Sequence, residues 1–588
     1  MTRDVEDLLQ LHKTWAARRD PWLQHWQSLA DVMHPARADF TVSTRPGEER
    51  TEEIYDGTPM MLRRSLATTI GGLLTPRQTP WFFLKAEDEA LNEDEAVKAW
   101  LEDSQKRLRA AIYNRRARFT HRSTEAYNDL VAFGTSALFV GEGQDLSRLF
   151  FRSFHLKQTV LAENADGEID TVAVEEQLTA RQAKQRFGEE NLGDKTKEAL
   201  ARAGSGSGSG GPAGREELFP FLWITLPRED RDTRRRDRKN MPFASVVIDV
   251  KSQHIVDEGG FQEFPWVIQR WDTTSGEPFG RSPGMIALPD SRMLMEQART
   301  IIMAGQRAVD PPLFMPSDAF INAPQAQPGG ISYYELEVAE RLGRIPVDTI
   351  GDTANIPLGR EMQRDTRLQL EKAFFKNVFN LPVEGPQMTA TEVLERRDEF
   401  VREIGPTLGM LEDDGPAVIV ERAFNVMARA GQFAEPPEAI AGREVEITFL
   451  SPVQRAMQQI EASAFARAME LVGPLAQIQP EMLDHLAGDE IMPDLPEIFG
   501  FPRKWLRGEE GVAEIRQARA EAQQAAQQAQ VVTEGADVIS KLAKVPQPSG
   551  SQDGAGGGAQ GQAQGQAQGQ AAGDVLGALL GGAQGGAA

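Results

Sequence analysis

The sequence contains no cysteine. Disulfide frameworks, thiolate metal sites and cysteine nucleophiles are therefore excluded. Histidine is sparse. His12, His25, His34, His121, His155, His254 and His485 fall at no metal-ligand spacing, and no HExxH occurs. An excess of positive charge is also lacking: Lys and Arg number 64 against 87 Asp and Glu, a formal net charge of −23. Such a chain is a poor generic nucleic-acid binder, because affinity for phosphate comes mainly from Lys and Arg. No apolar run reaches the ~18 residues of a membrane-spanning helix, and the start, Met1 to Asp7, lacks the apolar core of a signal peptide. These absences predict a soluble product of a reducing compartment, with no membrane partner. There is no Walker A pattern. Gly206 to Gly211 formally matches GxGxxG, but it lies inside a Gly/Ser repeat with no preceding strand. Ser136 and Ser282 sit near turns without a nucleophile elbow. The clusters Glu93-Asp94-Glu95 and Glu412-Asp413-Asp414 are sequence neighbours, which diverge on a helix instead of gathering on one ion. They read as solvated acidic turns. The expectation is a protein without cofactor, metal site or catalytic constellation.

What is present is a chain of 588 residues, 40% hydrophobic and 26% charged, enough for roughly three or four structural units at about 150 residues each. Leu8, Leu9, Trp15, Trp22, Leu23, Trp26 and Leu29 recur at helical spacing, with Pro21 predicted to interrupt the helix and Asp20 to cap its second half. Met61 to Leu73 forms an apolar face that is expected to end at Gly71-Gly72. Trp81 to Leu84 reads as a buried strand, 96–113 and 119–133 as helices, and Ala137 to Val140 as a strand. Residues 149–180 alternate as strands around an Asn164–Gly167 turn. A short helix is predicted over 179–202, a flexible Gly/Ser stretch over 204–214, and strands at Phe219–Leu226 and Ala244–Val250 around a charged loop. The basic run Arg115-Arg116-Ala117-Arg118 is read as the complement of a helix C-terminus.

Two long helices bracket an irregular Pro/Gly-rich excursion at 311–357. The first, to Val309, carries the small residues Ala298, Gly305 and Ala308, which let a neighbouring helix approach closely. The second, 358–379, places Arg360, Arg364, Arg367 and Lys372 on one side, with Met362, Leu370, Phe374 and Val378 opposite. An antiparallel pair with a small unit at its tip follows. Thr389 to Glu392 is a capping box opening a helix that Gly405-Pro406 and Gly415-Pro416 break or kink. Val445 to Phe449 is a strand, helices fill 453–490 and 509–543, and residues 546–588 are a Gly/Ala/Gln tail that buries too little apolar surface to fold alone.

Several stretches, taken in order, resemble the head-to-tail connecting proteins, the portal proteins of short-tailed podovirus bacteriophages. They are Arg18 to Trp22 with Met33-His34-Pro35; Leu66 to Pro76 leading to Trp81–Leu84; Tyr127 to Leu138; Phe279 to Gly284; Met388 to Val393; and Phe499 to Pro502 with the Arg/Ala/Gln-rich helix from Glu514. They span about residues 5–530. The resemblance implies an α+β, mainly helical portal fold. A wing takes residues 1–280, with the flexible 204–214 loop. Stem helices take 281–310 and 358–380, and the clip takes 311–357. A tunnel loop at 381–388 presents Val383, Glu384 and Gln387 to DNA. A kinked wing helix and strand follow at 389–450, a crown at 451–545, then the disordered tail.

The resemblance further implies a ring, usually of twelve subunits, at one capsid vertex of the virion, assembled in the host cytoplasm. Double-stranded DNA passes its channel without sequence-specific binding, during packaging and ejection. Its implied partners are further copies of itself, the terminase large subunit docking at the clip, a tail adaptor, and the major capsid and scaffold proteins. Net negative charge keeps a channel wall from gripping a polyanion, while sparse cationic rings steady it. Two other readings stay open: a Mg-dependent DNA-processing enzyme, or a helical scaffold or assembly protein that forms open assemblies.

Overall fold

A computed structural model describes residues 4–309 apart from 46, 87, 89–90, 93, 144–148, 205–216, 233 and 236. It further describes 313–314, 333, 336–343, 348–349, 356–376, 402–440, 445–449, 512 and 515–522. The helices are α1 (Val5–Met33), α2 (Thr58–Leu74), α3 (Glu95–Ile112), α4 (Phe119–Phe133), α5 (Ala180–Phe187), α6 (Asp194–Gly204), α7 (Pro283–Val309), α8 (Leu336–Leu342), α9 (Ile356–Ala373), α10 (402–412) and α11 (Val418–Arg429). The strands are β1 (Phe82–Ala86), β2 (Thr135–Glu142), β3 (Leu149–Phe154), β4 (Thr159–Glu163), β5 (Ile169–Thr179), β6 (Leu218–Pro227), β7 (Phe243–Asp249), β8 (His254–Phe261), β9 (Trp266–Arg270), β10 (Leu313–Phe314), β11 (Asp348–Thr349) and β12 (Val445–Phe449). The chain is thus a mixture of helix and strand. No helix among the described residues is long and apolar enough to cross a membrane.

All strand pairing among the described residues is antiparallel. β4-β5-β6-β7-β8 form a five-stranded meander, β3-β2-β9 a three-stranded sheet, and β1-β12 and β10-β11 two short pairs. Strand β6 shows why the meander has two covered faces. Phe219, Phe221 and Trp223 enter the large central core, while the alternate residues Leu222, Ile224 and Leu226 enter a second core with Leu8 of α1. The chain falls into two units, Met1–Arg503 and Lys504–Ala588; in the second, 515–522 is helical.

Helix α1 departs from the sequence expectation. It runs unbroken through Pro21, although an interior proline removes one hydrogen bond and clashes with the preceding turn, at about 3 kcal/mol. Its two halves explain this. Leu8 packs under the meander, whereas Trp26, Leu29, Ala30 and Met33 are fully buried in the central core. Each large apolar side chain contributes about 1.5–3 kcal/mol of burial, which outweighs the proline. Helix α2 continues past Gly71-Gly72 to Leu74. Gly71 is a packing residue: a Cβ there meets the Tyr127 ring at 3.0 Å. The single helix expected over 179–202 is two, α5 and α6, parted at Gly188 with φ +83°. The strands β8 and β9 have no counterpart in the sequence reading.

Helix α9 ends at Ala373 in a turn at Phe374-Phe375, where Phe375 takes a left-handed φ of +54°; residue 376 is again helical, and 377–379 of the expected helix lie outside the described residues. Gly405-Pro406 does not break α10, which is helical through both residues. Gly415-Pro416 instead sits in a π-helical turn, Asp413–Ala417, joining α10 to α11. The 205–214 stretch, most of 311–357, the 381–388 loop, the capping box at 389–392, 453–490, most of 509–543 and the 546–588 tail lie outside the described residues.

Candidate functional site

The predicted helix pair exists, and its contacts give its direction. Thr366 of α9 donates to Gln297 of α7 at 3.2 Å, and a Cβ on Gly359 meets Ile301 at 3.1 Å. As α7 advances from 297 to 301, α9 retreats from 366 to 359, so the helices are antiparallel. The close approach is made at Gly359, which the sequence reading missed. Of the small residues it named, Ala298 is buried, Ala308 is exposed, and a Cβ on Gly305 meets nothing within 4 Å in this chain.

One end of the pair is built into the central core. Leu370 and Phe374 are buried there, and Phe375 lies 6.3 Å from Trp271 between ring centroids. The entry into α7 is fastened by backbone. Gly134, in a left-handed turn at φ +81°, lets its carbonyl accept from Trp271 at 2.9 Å. The Gly280 N–H donates to Thr135 Oγ1 at 2.8 Å, and Ser282 Oγ donates to the Ala132 carbonyl at 2.8 Å. Ser282 thus holds a helix start, its Oγ also accepting the Met285 N–H at 3.0 Å. Four of the stretches noted in the sequence therefore meet here. Phe279 packs against Trp22 at 5.7 Å and edge-on against Trp26 at 5.0 Å, Trp26 Nε1 donates to the Phe133 carbonyl at 3.2 Å, and Tyr127 hydrogen-bonds Thr75 at 3.1 Å.

Arg360, Arg364, Arg367 and Lys372 are all exposed residues of α9. The three arginines share a face; Lys372 lies about a third of a turn away at ~100° per residue, a correction to its placement among them. Arg367 is committed elsewhere. Its Nε and Nη2 donate to Asp56 Oδ2 at 3.2 and 2.7 Å, not to Glu371, which pairs with Lys376. Asp56 also accepts the Thr58 N–H at 2.9 Å, at the start of α2. Burial alone pushes its carboxyl up. Hydrogen bonds from Thr58 and Arg367 and the Arg367 charge outweigh that and hold it below the usual range. Arg360, Arg364 and Lys372 make no ion pair with any described residue. Met362, expected on the apolar side, is 51% exposed, and Leu358 and Leu368 are similarly open, as are Ile302 and Met303 on α7. Val383, Glu384 and Gln387 lie outside the described residues.

The long segment after the pair carries a second device. Pro416 has no N–H to donate, and the π turn shifts the helical register. Gln269 of β9, which is buried, donates its side-chain amide to the Leu411 carbonyl at 3.1 Å. Gly415 leaves the space that this amide fills. Asp414 beside it is raised by burial, against the Arg270 charge. Glu412 to Asp414 is therefore a bent helix joint; among the described residues no three His, Asp or Glu side chains are grouped as a metal ion would need.

The profile of the family described as bacteriophage head to tail connecting protein matches residues 5–506. The chain is 29% identical over 508 residues to the probable portal protein of Bordetella phage BPP-1, covering 85% of this chain and 88% of that protein. It is 28% identical over 525 residues to the portal protein of Salmonella phage epsilon15, covering 88% and 91%.

Proposed function

The chain belongs to the bacteriophage head to tail connecting proteins, and from that premise we propose how its geometry serves a phage portal. The α7–α9 pair is the stem, and subunits close into a ring of twelve around a channel for double-stranded DNA. The observation that carries this is the surface of the pair. One end is fixed in the core, while Ile302, Met303, Leu358, Met362 and Leu368 stay open in a single chain. Apolar side chains in such number on two packed helices call for neighbouring copies. Arg360 and Arg364, exposed on one face, repeat around the ring as sparse cationic girdles.

The role is structural. The DNA-cleaving and ATP-driven chemistry of packaging belongs to a terminase docking at the clip, 311–357, and the 381–388 loop meets DNA at the base of the stem. The wing, 1–280, faces capsid and scaffold proteins, and the tail adaptor binds the assembled ring at the virion's vertex. Assembly takes place in the host cytoplasm.

Light scattering with negative-stain imaging tests this. A closed particle with a central hole, near 780 kDa for about twelve chains of 64.9 kDa, is expected. A chain that stays monomeric at high concentration with scaffold present, and cleaves DNA with Mg²⁺, overturns it.

A further inference from the structure

One stretch is not absorbed by this reading. From Ser104 to Thr124 there is no acidic residue and there are seven Lys and Arg, in a chain where acids outnumber bases. Helix α3 ends at Ile112, so helix-dipole complementarity reaches Arg109 in its last turn and no further. Arg115, Arg116 and Arg118 lie beyond it, which corrects the sequence reading. Asn114 folds them into a tight turn: its Oδ1 accepts from the Arg116 N–H and its carbonyl from Ala117, both at 3.0 Å. Ala117 is buried among Trp81, Phe119 and Phe151, so the turn is pinned at its centre with exposed arginines on both sides.

Arg118 is locally unfavourable. It is the N-cap of α4 with φ +57°, makes no side-chain cap, and puts positive charge at the positive end of a helix dipole. Asparagine or glycine suits that position better. None of the three arginines pairs with a described acid. Arg109 extends the patch by donating to the Arg77 carbonyl at 2.7 Å. Beside the turn one apolar side chain is open: Phe150 of β3, 40% exposed, next to Phe151, whose N–H donates to the Ala117 carbonyl at 3.3 Å. The centre of a protein–protein interface carries a cluster of aromatic and aliphatic anchors; three guanidinium forks around a single open ring match phosphate better.

We propose that the Arg115–Arg118 turn is a sequence-independent docking site for the phosphate backbone of double-stranded DNA, on the wing and separate from the channel. The proposal rests on the portal reading for the polyanion, DNA, and for the placing of residues 1–280 in a wing away from the channel.

The test is equilibrium binding of a short random duplex to full-length rings as salt is varied. The triple variant Arg115→Gln, Arg116→Gln, Arg118→Gly is expected to bind about tenfold or more weakly near 0.1 M salt. Its log–log salt slope should fall by roughly 2.7, about 0.9 for each phosphate that is no longer neutralised. Arg118→Gly alone should weaken binding while raising thermal stability, since it relieves the left-handed strain. An unchanged affinity and slope overturns the proposal, as does loss of stability and binding together in Arg118→Gly. Rings that bind no duplex at low salt also overturn it; if the triple variant then fails to enter procapsids, the partner is an acidic protein surface. Imaging the same samples separates the two readings: absent rings count against the portal, closed rings with an indifferent patch only against this site.

Discussion

The Asp56–Arg367 contact ties the start of α2 to the middle of α9, and a double-mutant cycle measures it. Asp56→Ala removes the acceptor of the Thr58 N–H just ahead of α2, a hydrogen bond worth about 1 kcal/mol, and charge-assisted hydrogen bonds from Arg367. Because Arg367 is 45% exposed on its side chain, solvent screens the pair, and about 1–1.5 kcal/mol is a fair share for it. The single change should therefore cost about 2–2.5 kcal/mol. Asp56→Asn keeps the acceptor for Thr58 and loses the charge, so about 1–1.5 kcal/mol is expected by the same reasoning. Arg367→Ala leaves the buried carboxylate without its cation, and the coupling in the cycle should be about 1–1.5 kcal/mol. Native-state hydrogen exchange of α2 and α9 amides reads these values locally, where melting of so large a chain does not. Asp56 is held below its ordinary pKa. Its contribution is therefore complete above the unfolded value near 3.9 and is lost as pH falls through the lower folded one. Additivity of the two mutations within about 0.5 kcal/mol, or loss of protection in α2 without any in α9, refutes the reasoning.

Gly415→Ala places a methyl in the space of the Gln269 amide, and about 1–3 kcal/mol of overpacking should appear as a lower melting temperature; Gln269→Leu should be destabilising too, by stranding the Leu411 carbonyl. Gly134→Ala meets both a left-handed φ and the Gly280 backbone, so soluble expression should collapse. Half-buried His34 is pushed down to about 3 by burial, with Arg63 and Arg37 adding to the shift. Stability should be full above pH 6.5 and fall as pH drops toward 3, by up to about 1.4 kcal/mol per pH unit, and His34→Gln should flatten that limb in urea titrations. Arg360→Glu with Arg364→Glu should leave rings closed yet slow DNA packaging, whereas Arg367→Ala should not change packaging rate per ring.

What the sequence made legible was local. Helix α4, the α7–α9 pair and the Asn164–Gly167 turn follow from spacing and turn chemistry that neighbouring residues supply. The errors arose where distant partners overrule local rules. Pro21 signals a break, but Trp26 and Leu8 hold both halves of α1 in separate cores. Gly71 signals a stop, but Tyr127 needs its bare surface. Phe375 gives no hint of a left-handed φ, and the double glycine Gly259-Gly260 obscures β8. The candidate site was half visible. A cationic stripe can be read from spacing, but that Arg367 serves Asp56 or Gln269 serves Leu411 depends on residues hundreds of positions apart in the first case and more than a hundred in the second.

The pairing of β1 with β12 bears on synthesis. Phe82 and Leu84 leave the ribosome long before Phe449 and Ile447, the residues they face. At about 5–20 residues per second, the roughly 360 intervening residues keep β1 waiting some 20–70 seconds for its partner. During that interval an apolar strand has an open edge, the kind of surface on which nascent chains pair wrongly. Slowing translation beyond Ala86, or withholding chaperones, should therefore convert this protein from folded chain to aggregate more readily than an equal loss of folded-state stability.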